Sequence, residues 1–221
     1  MYIWSFNRDT HLHLSPPAQY THLCPLQAHG FAPALDALVV QSTAPLPAHQ
    51  ELYLNYGPHS PLKLLMLYGF LPPATNEDDG DRYAAVDVYV SIDPTTPGYR
   101  QKAQALAALG LPLFGAHSVT AAAPHIPPAL LAALRIQRAA TEEKEEMGTL
   151  EGAMQGPLSP ANERATLGAL KGALESMLDA LPPPSVKEGE GLLGMVDRYL
   201  ASERRVLQKA LGRVTELEKG I

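Results

Sequence analysis

The 221-residue chain has a single cysteine, Cys24, so no disulfide can form within it. That scarcity fits a reducing compartment. Positive charge is also in short supply: 17 Lys and Arg stand against 23 Asp and Glu, a net charge of −6. Such a balance argues against a nucleic-acid platform or an anionic membrane surface, and suits a neutral or basic protein partner. Long apolar runs are missing as well. The longest, Ala105 to Ala116, is interrupted by Pro112 and is far shorter than the roughly 20 residues of a membrane span. The apolar start MYIWSF gives way at once to Asn7, Arg8 and Asp9, so no signal peptide is read. A soluble intracellular protein is expected, with neither membrane nor nucleic acid as partner.

Several kinds of chemistry lack their signatures. His11, His13, His22, Cys24 and His29 fall within 19 residues, but only as H-x-H and H-x-C. Zinc sites usually show paired spacings such as C-x2-C plus H-x3-H, which are absent, so no metal is expected. The acidic run Glu77 to Asp81 lacks the ligand ladder and closing Glu of a calcium loop and reads as a solvated turn. There is no G-x-S-x-G and no glycine-rich phosphate loop, since GALKGALE continues a helical pattern.

What the chain does have is a globular composition, 46% hydrophobic, organised in two parts. Residues 1 to 35 show no sustained periodicity. Leu38 to Val40 and Glu51 to Tyr56 then read as strands. Ser60 caps a helix with Pro61 in its first turn, Gly69 just past its end and an apolar stripe of Leu62, Leu65, Met66 and Phe70. The loop Leu71 to Arg82, rich in Pro and Asp, is the best boundary. After it, Val86, Val88, Val90 and Ile92 alternate with polar residues as a half-buried strand. The remainder reads as helix: Tyr99 to Leu109, Pro127 to Ala140, Pro160 to Leu181 (entered through Ser159 and stopped by Pro182 to Pro184), and Leu192 to Glu218. The last carries Arg198, Glu203, Arg204, Lys209 and Arg213 opposite its apolar face. The fold class is α+β, predominantly α: a small β-rich piece followed by an all-α helical domain.

Within the β-rich piece, ELYLNYGPHSPLKLLMLYGF (Glu51 to Phe70) sets Tyr56-Gly57 and Tyr68-Gly69 twelve residues apart. The order of strand, ELYLNYG, polar turn, apolar helix and LYGF resembles the C-terminal end of a SET domain of the Rubisco large-subunit lysine methyltransferase type. Three later stretches are similar to that family's substrate-binding domain, in order. IPPALLAALRI (Ile126 to Ile136) resembles its leucine-rich "LR" helix. Ser159, Asn162 and Glu163 match its Ser-x-x-Asn-Glu helix opening, and SERRVLQKAL (Ser202 to Leu211) its Arg-Val-Leu-Gln segment.

The resemblance implies a protein-lysine N-methyltransferase that uses S-adenosyl-L-methionine and acts on a protein bearing a target lysine. It makes Tyr56 the catalytic tyrosine and puts Tyr68, Gly69 and Phe70 in the cofactor and lysine pocket. Residues 1–75 would be the C-terminal portion of a SET domain, with 1–35 poorly matched, and residues 83–221 the substrate-binding domain. The family's Asn-His motif has no counterpart, since the chain contains no Asn-His dipeptide. The chain is accordingly expected to be incomplete and inactive on its own. The alternative is a non-catalytic interaction module with a vestigial SET remnant.

Overall fold

Helix punctuation in the sequence is reproduced closely in the computed structural model, which describes residues 26–32, 34, 37–42, 59–71, 83–140, 152–183 and 191–221. Two strands, β1 (Leu26–Ala32) and β2 (Ala37–Ser42), pair antiparallel with Gly30 opposite Val39. β2 contains the strand read at Leu38 to Val40. β1 lies wholly within the stretch that shows no periodicity. Helix α1 (Pro61–Tyr68) follows. The strand expected at Glu51 to Tyr56 and most of the boundary loop, 72–82, lie outside the described residues.

The second part opens with β3 (Ala85–Ser91), α2 (Tyr99–Ala108) and β4 (Phe114–Thr120). β3 is the alternating strand, and it pairs antiparallel with β4, Val86 opposite Val119 and Val88 opposite His117. The mainly helical α+β fold is as expected, but one feature of the second part needs correcting: it is not all-α. β4 escaped because FGAHSVT offers two small residues and a histidine where a strand would show branched apolar ones. Its inward face is His117 and Val119, both buried. Gly115 is required there, because a Cβ at that position would lie 2.4 Å from Cγ of Pro112.

Three helices complete the core: α3 (Pro128–Arg138), α4 (Pro160–Ala180) and α5 (Gly191–Glu218). α3 is buried on most of its circumference, at Leu130, Ala132, Ala133, Leu134, Arg135 and Ile136, because it packs on α2, α4 and β3. Lys102 of α2 donates to the carbonyl of Gln137 at 2.9 Å, closing the carbonyl end of α3 with a cation. Gln137 in turn donates to the Ser91 carbonyl at 2.6 Å and ties that end to β3.

α4 and α5 run antiparallel. Lys171 bonds Glu218 at 3.2 Å, whereas Arg204 reaches the Pro182 carbonyl at 2.6 Å beyond the other end of α4. Leu167, Leu170 and Leu174 enter the same core as Val206, Leu207, Ala210 and Val214. Each of the leucines and valines contributes roughly 1.5–3 kcal/mol before conformational entropy is charged against it. α5 also packs on both strands of the β3–β4 pair. Its apolar pattern breaks between Leu200 and Val206 without interrupting the helix, because buried Ser202 occupies the gap.

The charged centre of this core is Arg135 with Glu163. The guanidinium donates twice to the carboxylate, each bond 2.7 Å, and once to the Ala153 carbonyl at 2.8 Å. Asn162 donates from its side chain to the Arg135 carbonyl at 2.9 Å, and its own N–H is capped by Ser159 Oγ at 3.1 Å.

Removing one partner would strand a buried charge, so Glu163→Ala is expected to lower stability by about 3–5 kcal/mol, and the double variant Arg135→Met, Glu163→Leu to recover most of that loss. Urea unfolding checks this, and a loss from Glu163→Ala below about 1 kcal/mol, the range of a surface pair, contradicts it. A second outcome concerns His117, whose imidazole burial holds below its ordinary range. The unfolded chain takes up a proton once pH falls below about 6.5. The folded chain resists, so stability present above that pH is lost as pH falls towards the depressed value. Thermal melting from pH 8 to pH 5 is expected to show a shallower decline in His117→Val than in the parent.

Candidate functional site

The end of α1 carries three of the four residues singled out from the sequence. Ser60 Oγ accepts from the Lys63 N–H at 3.3 Å, Pro61 enters the first turn, and Gly69 closes the helix at φ 71° with its N–H on the Leu65 carbonyl. That left-handed turn is open to glycine without penalty. It reverses the chain between two aromatic rings, so Tyr68 and Phe70 come to lie 6.3 Å apart at an interplanar angle of 43°. His59, before the helix, stacks on Tyr68 with ring centroids 6.5 Å apart and an interplanar angle of 17°. The result is a ledge of three rings around a glycine.

This ledge is open. Nothing lies within 4 Å of the position a Gly69 Cβ would take, and Tyr68 is 42% exposed. The helix beneath it does not bury the expected stripe. Leu62, Met66 and Leu67 are exposed, whereas Leu64 and Leu71 are buried. Of the row Leu62, Leu65, Met66 and Phe70, only Leu65 and Phe70 are even half-buried. α1 packs on α5, and the side chains it buries are Pro61 and Leu64.

Tyr56, the fourth residue, lies outside the described residues together with Gly57, so the pairing of the two tyrosines is not placed. So do His11, His13, His22 and Cys24, and of His29 only the backbone in β1 is described. Among the described residues no group of three His, Cys, Asp or Glu side chains could hold a metal, and no helix is long and apolar enough to cross a membrane.

The helical part forms a second candidate surface. An open groove of about 560 Å³ runs between the turn after β4 and the C-terminal half of α5. Lys209 and Arg213 reach it from one face of α5, four residues apart, as does Glu216. The sequence had placed both cations on the polar side of this helix. What it did not signal was the turn opposite, Ala121 to His125, because β4 itself was not read.

The family model of the Rubisco LSMT substrate-binding domain matches residues 93–219, and the chain belongs to that family. Among solved structures, Rubisco LSMT bound to AdoMet superposes with a TM-score of 0.69 at 21% identity, over 82% of this chain and 45% of that one. The SET domain of LSMT bound to lysine and AdoHcy gives the same score and identity, over 82% and 44%. The chain thus shares their fold and spans less than half the length of these proteins. No curated protein sequence matches it.

Substituting Gly69 tests the geometry of the ledge directly. Gly69→Ala meets no steric neighbour, so its cost is conformational, about 1–2 kcal/mol for a left-handed residue. Amide exchange across Leu65 to Phe70 is expected to accelerate, with the α4–α5 core unchanged. Unaltered exchange in α1 would contradict the turn described.

Proposed function

We propose that the chain is the C-terminal portion of a SET-type protein-lysine N-methyltransferase that uses S-adenosyl-L-methionine. In this reading residues 1–75 contribute the end of the SET domain and residues 83–221 hold the protein substrate. The observation that carries it is the reach of the structural likeness. The family match ends at Lys219, two residues from the end of the chain, yet the likeness to LSMT covers 82% of it. The excess over the matched 93–219 segment therefore lies almost wholly before Asp93.

The residues at the ledge suit the methionine end of such a cofactor. Its sulfonium is a cation, and the faces of Tyr68 and Phe70 flank an open side of Gly69 on which an aromatic-to-cation contact can form. When bound, S-adenosyl-L-methionine supplies a methyl group already activated by the sulfonium charge. The protein's task is then positioning. In this reading the Tyr56 hydroxyl accepts a hydrogen bond from the neutral lysine amine and aims its lone pair.

In the protein carrying its complete SET domain, Tyr56→Phe is expected to reduce methyl transfer by roughly 10²-fold or more with cofactor affinity retained. Single-turnover transfer of a labelled methyl group, paired with calorimetry on S-adenosyl-L-methionine, measures both. Near-parent transfer removes Tyr56 from the role. Failure of the complete protein either to bind the cofactor or to transfer methyl replaces the enzyme reading with that of an interaction module.

A further inference from the structure

We infer that the outward face of the β3–β4 pair docks a basic segment of the protein substrate, with an arginine side chain seated between Tyr89 and Asp87. The inference rests on the substrate-holding role proposed for residues 83–221. It adds which face meets the substrate and what side chain it takes.

The strand pair presents two unlike faces. Val86, Val88, Val90, His117 and Val119 are buried, and the alternate residues face out. Among these, Tyr89 and Phe114 are 64% and 67% exposed. Their rings nevertheless stack on each other, with centroids 5.8 Å apart and an interplanar angle of 23°. Rings held together in this way form a ready platform, with little side-chain freedom left to lose when a planar group arrives.

Register decides where such a group sits. Tyr89 is opposite Ala116; one rung before it Asp87 is opposite Ser118, and one rung after it Ser91 is opposite Phe114. Phe114 therefore covers the face of Tyr89 turned towards Ser91, and the other face is turned towards Asp87. Same-face neighbours along a strand stand about 6.8 Å apart. A flat group in van der Waals contact on both sides needs roughly 7 Å. Beside this slot Ala116 projects only a methyl group, so the approach over β4 is open. The carboxylate is already oriented, because Ser118 Oγ donates to Asp87 Oδ1 at 2.6 Å across the strands.

Charge selects the occupant. The hydroxyl that holds Asp87 is neutral, and among the described residues no cation pairs with it, so its charge is uncompensated. The sequence leading into β3 has the same sign: between residues 77 and 82 four acids stand against one Arg, a net −3. Stacked rings alone would also suit a nucleic-acid base, but these carboxylates and the chain's net charge of −6 oppose its phosphates. A cation is favoured instead. Arginine fits better than lysine, because its plane stacks on the Tyr89 ring while its fork donates to the carboxylate.

The test is binding, read without methyl transfer. The isotopically labelled 221-residue chain is titrated with the capped peptide Lys-Ala-Arg-Ala-Lys while its amide resonances are recorded. Two control peptides carry lysine or citrulline, which is neutral and of the same shape, in place of the arginine. Saturable shifts are expected at Asp87, Tyr89, Ala116 and Ser118, with an affinity of about 1 mM. Citrulline is expected to weaken binding at least about fivefold and lysine about threefold. Tyr89→Ala and Asp87→Asn should each weaken the arginine peptide at least about threefold. Both positions are exposed, and circular dichroism checks that the fold is retained. Equal affinity for the citrulline peptide, no saturable shift up to about 10 mM, or unchanged affinity in both variants would each overturn the proposal. So would the same shifts on concentrating the chain without peptide, which would make this face a contact between copies, or tighter binding of a uridine oligonucleotide there. Because binding alone is read, loss of methyl transfer on changing Tyr56 leaves the proposal standing, and its own failure leaves the methyltransferase reading standing.

Discussion

The buried pair of Arg135 and Glu163 is the constraint on which the helical part depends. Both side chains are almost wholly removed from water, 8% and 5% exposed. Removing two charges from water costs several kcal/mol each, and only good geometry with further hydrogen bonds offsets it. Here the fork is met by both carboxylate oxygens and by a main-chain carbonyl. The arrangement is therefore demanding: α3, α4 and the turn at Ala153 must come together in one relative position, or a buried ion is left uncompensated. Asn162 adds a second tie, from its side chain to the backbone of the same arginine. Its own Oδ1 and the hydroxyl of Thr166, one turn along α4, are buried without a protein partner, so that polar seam has little slack.

From that seam the rest follows by packing. α4 fixed against α3 sets the plane in which α5 lies, through Leu167, Leu170 and Leu174 against Val206, Leu207 and Val214. α5 in turn packs on the paired strands β3 and β4, and the turn leaving β4 is carried to the side of α5 that bears Lys209 and Arg213. The same helix meets α1. One long helix thus links the ledge at Gly69 to the groove at Gly212, and the ion pair that positions it is remote in sequence from both.

How much of this was legible depends on how local each signal is. Ser60 with Pro61 and Gly69, and Ser159 with Pro160 and Pro182, are short-range devices that act through adjacent backbone groups, and all of these boundaries hold within a residue or two. The β3 alternation needs only its own side chains. β4 needs its partner: FGAHSVT becomes a strand because Val86, Val88 and Val90 offer a pleated surface across from it. The stripe on α1 failed for a related reason, since which apolar row is buried is decided by α5 and not by α1. Ser159, Asn162 and Glu163 were visible as a pattern and Leu134-Arg135 as part of another. That the two patterns meet in one hydrogen-bonded cluster is a tertiary fact, which neither segment encodes alone.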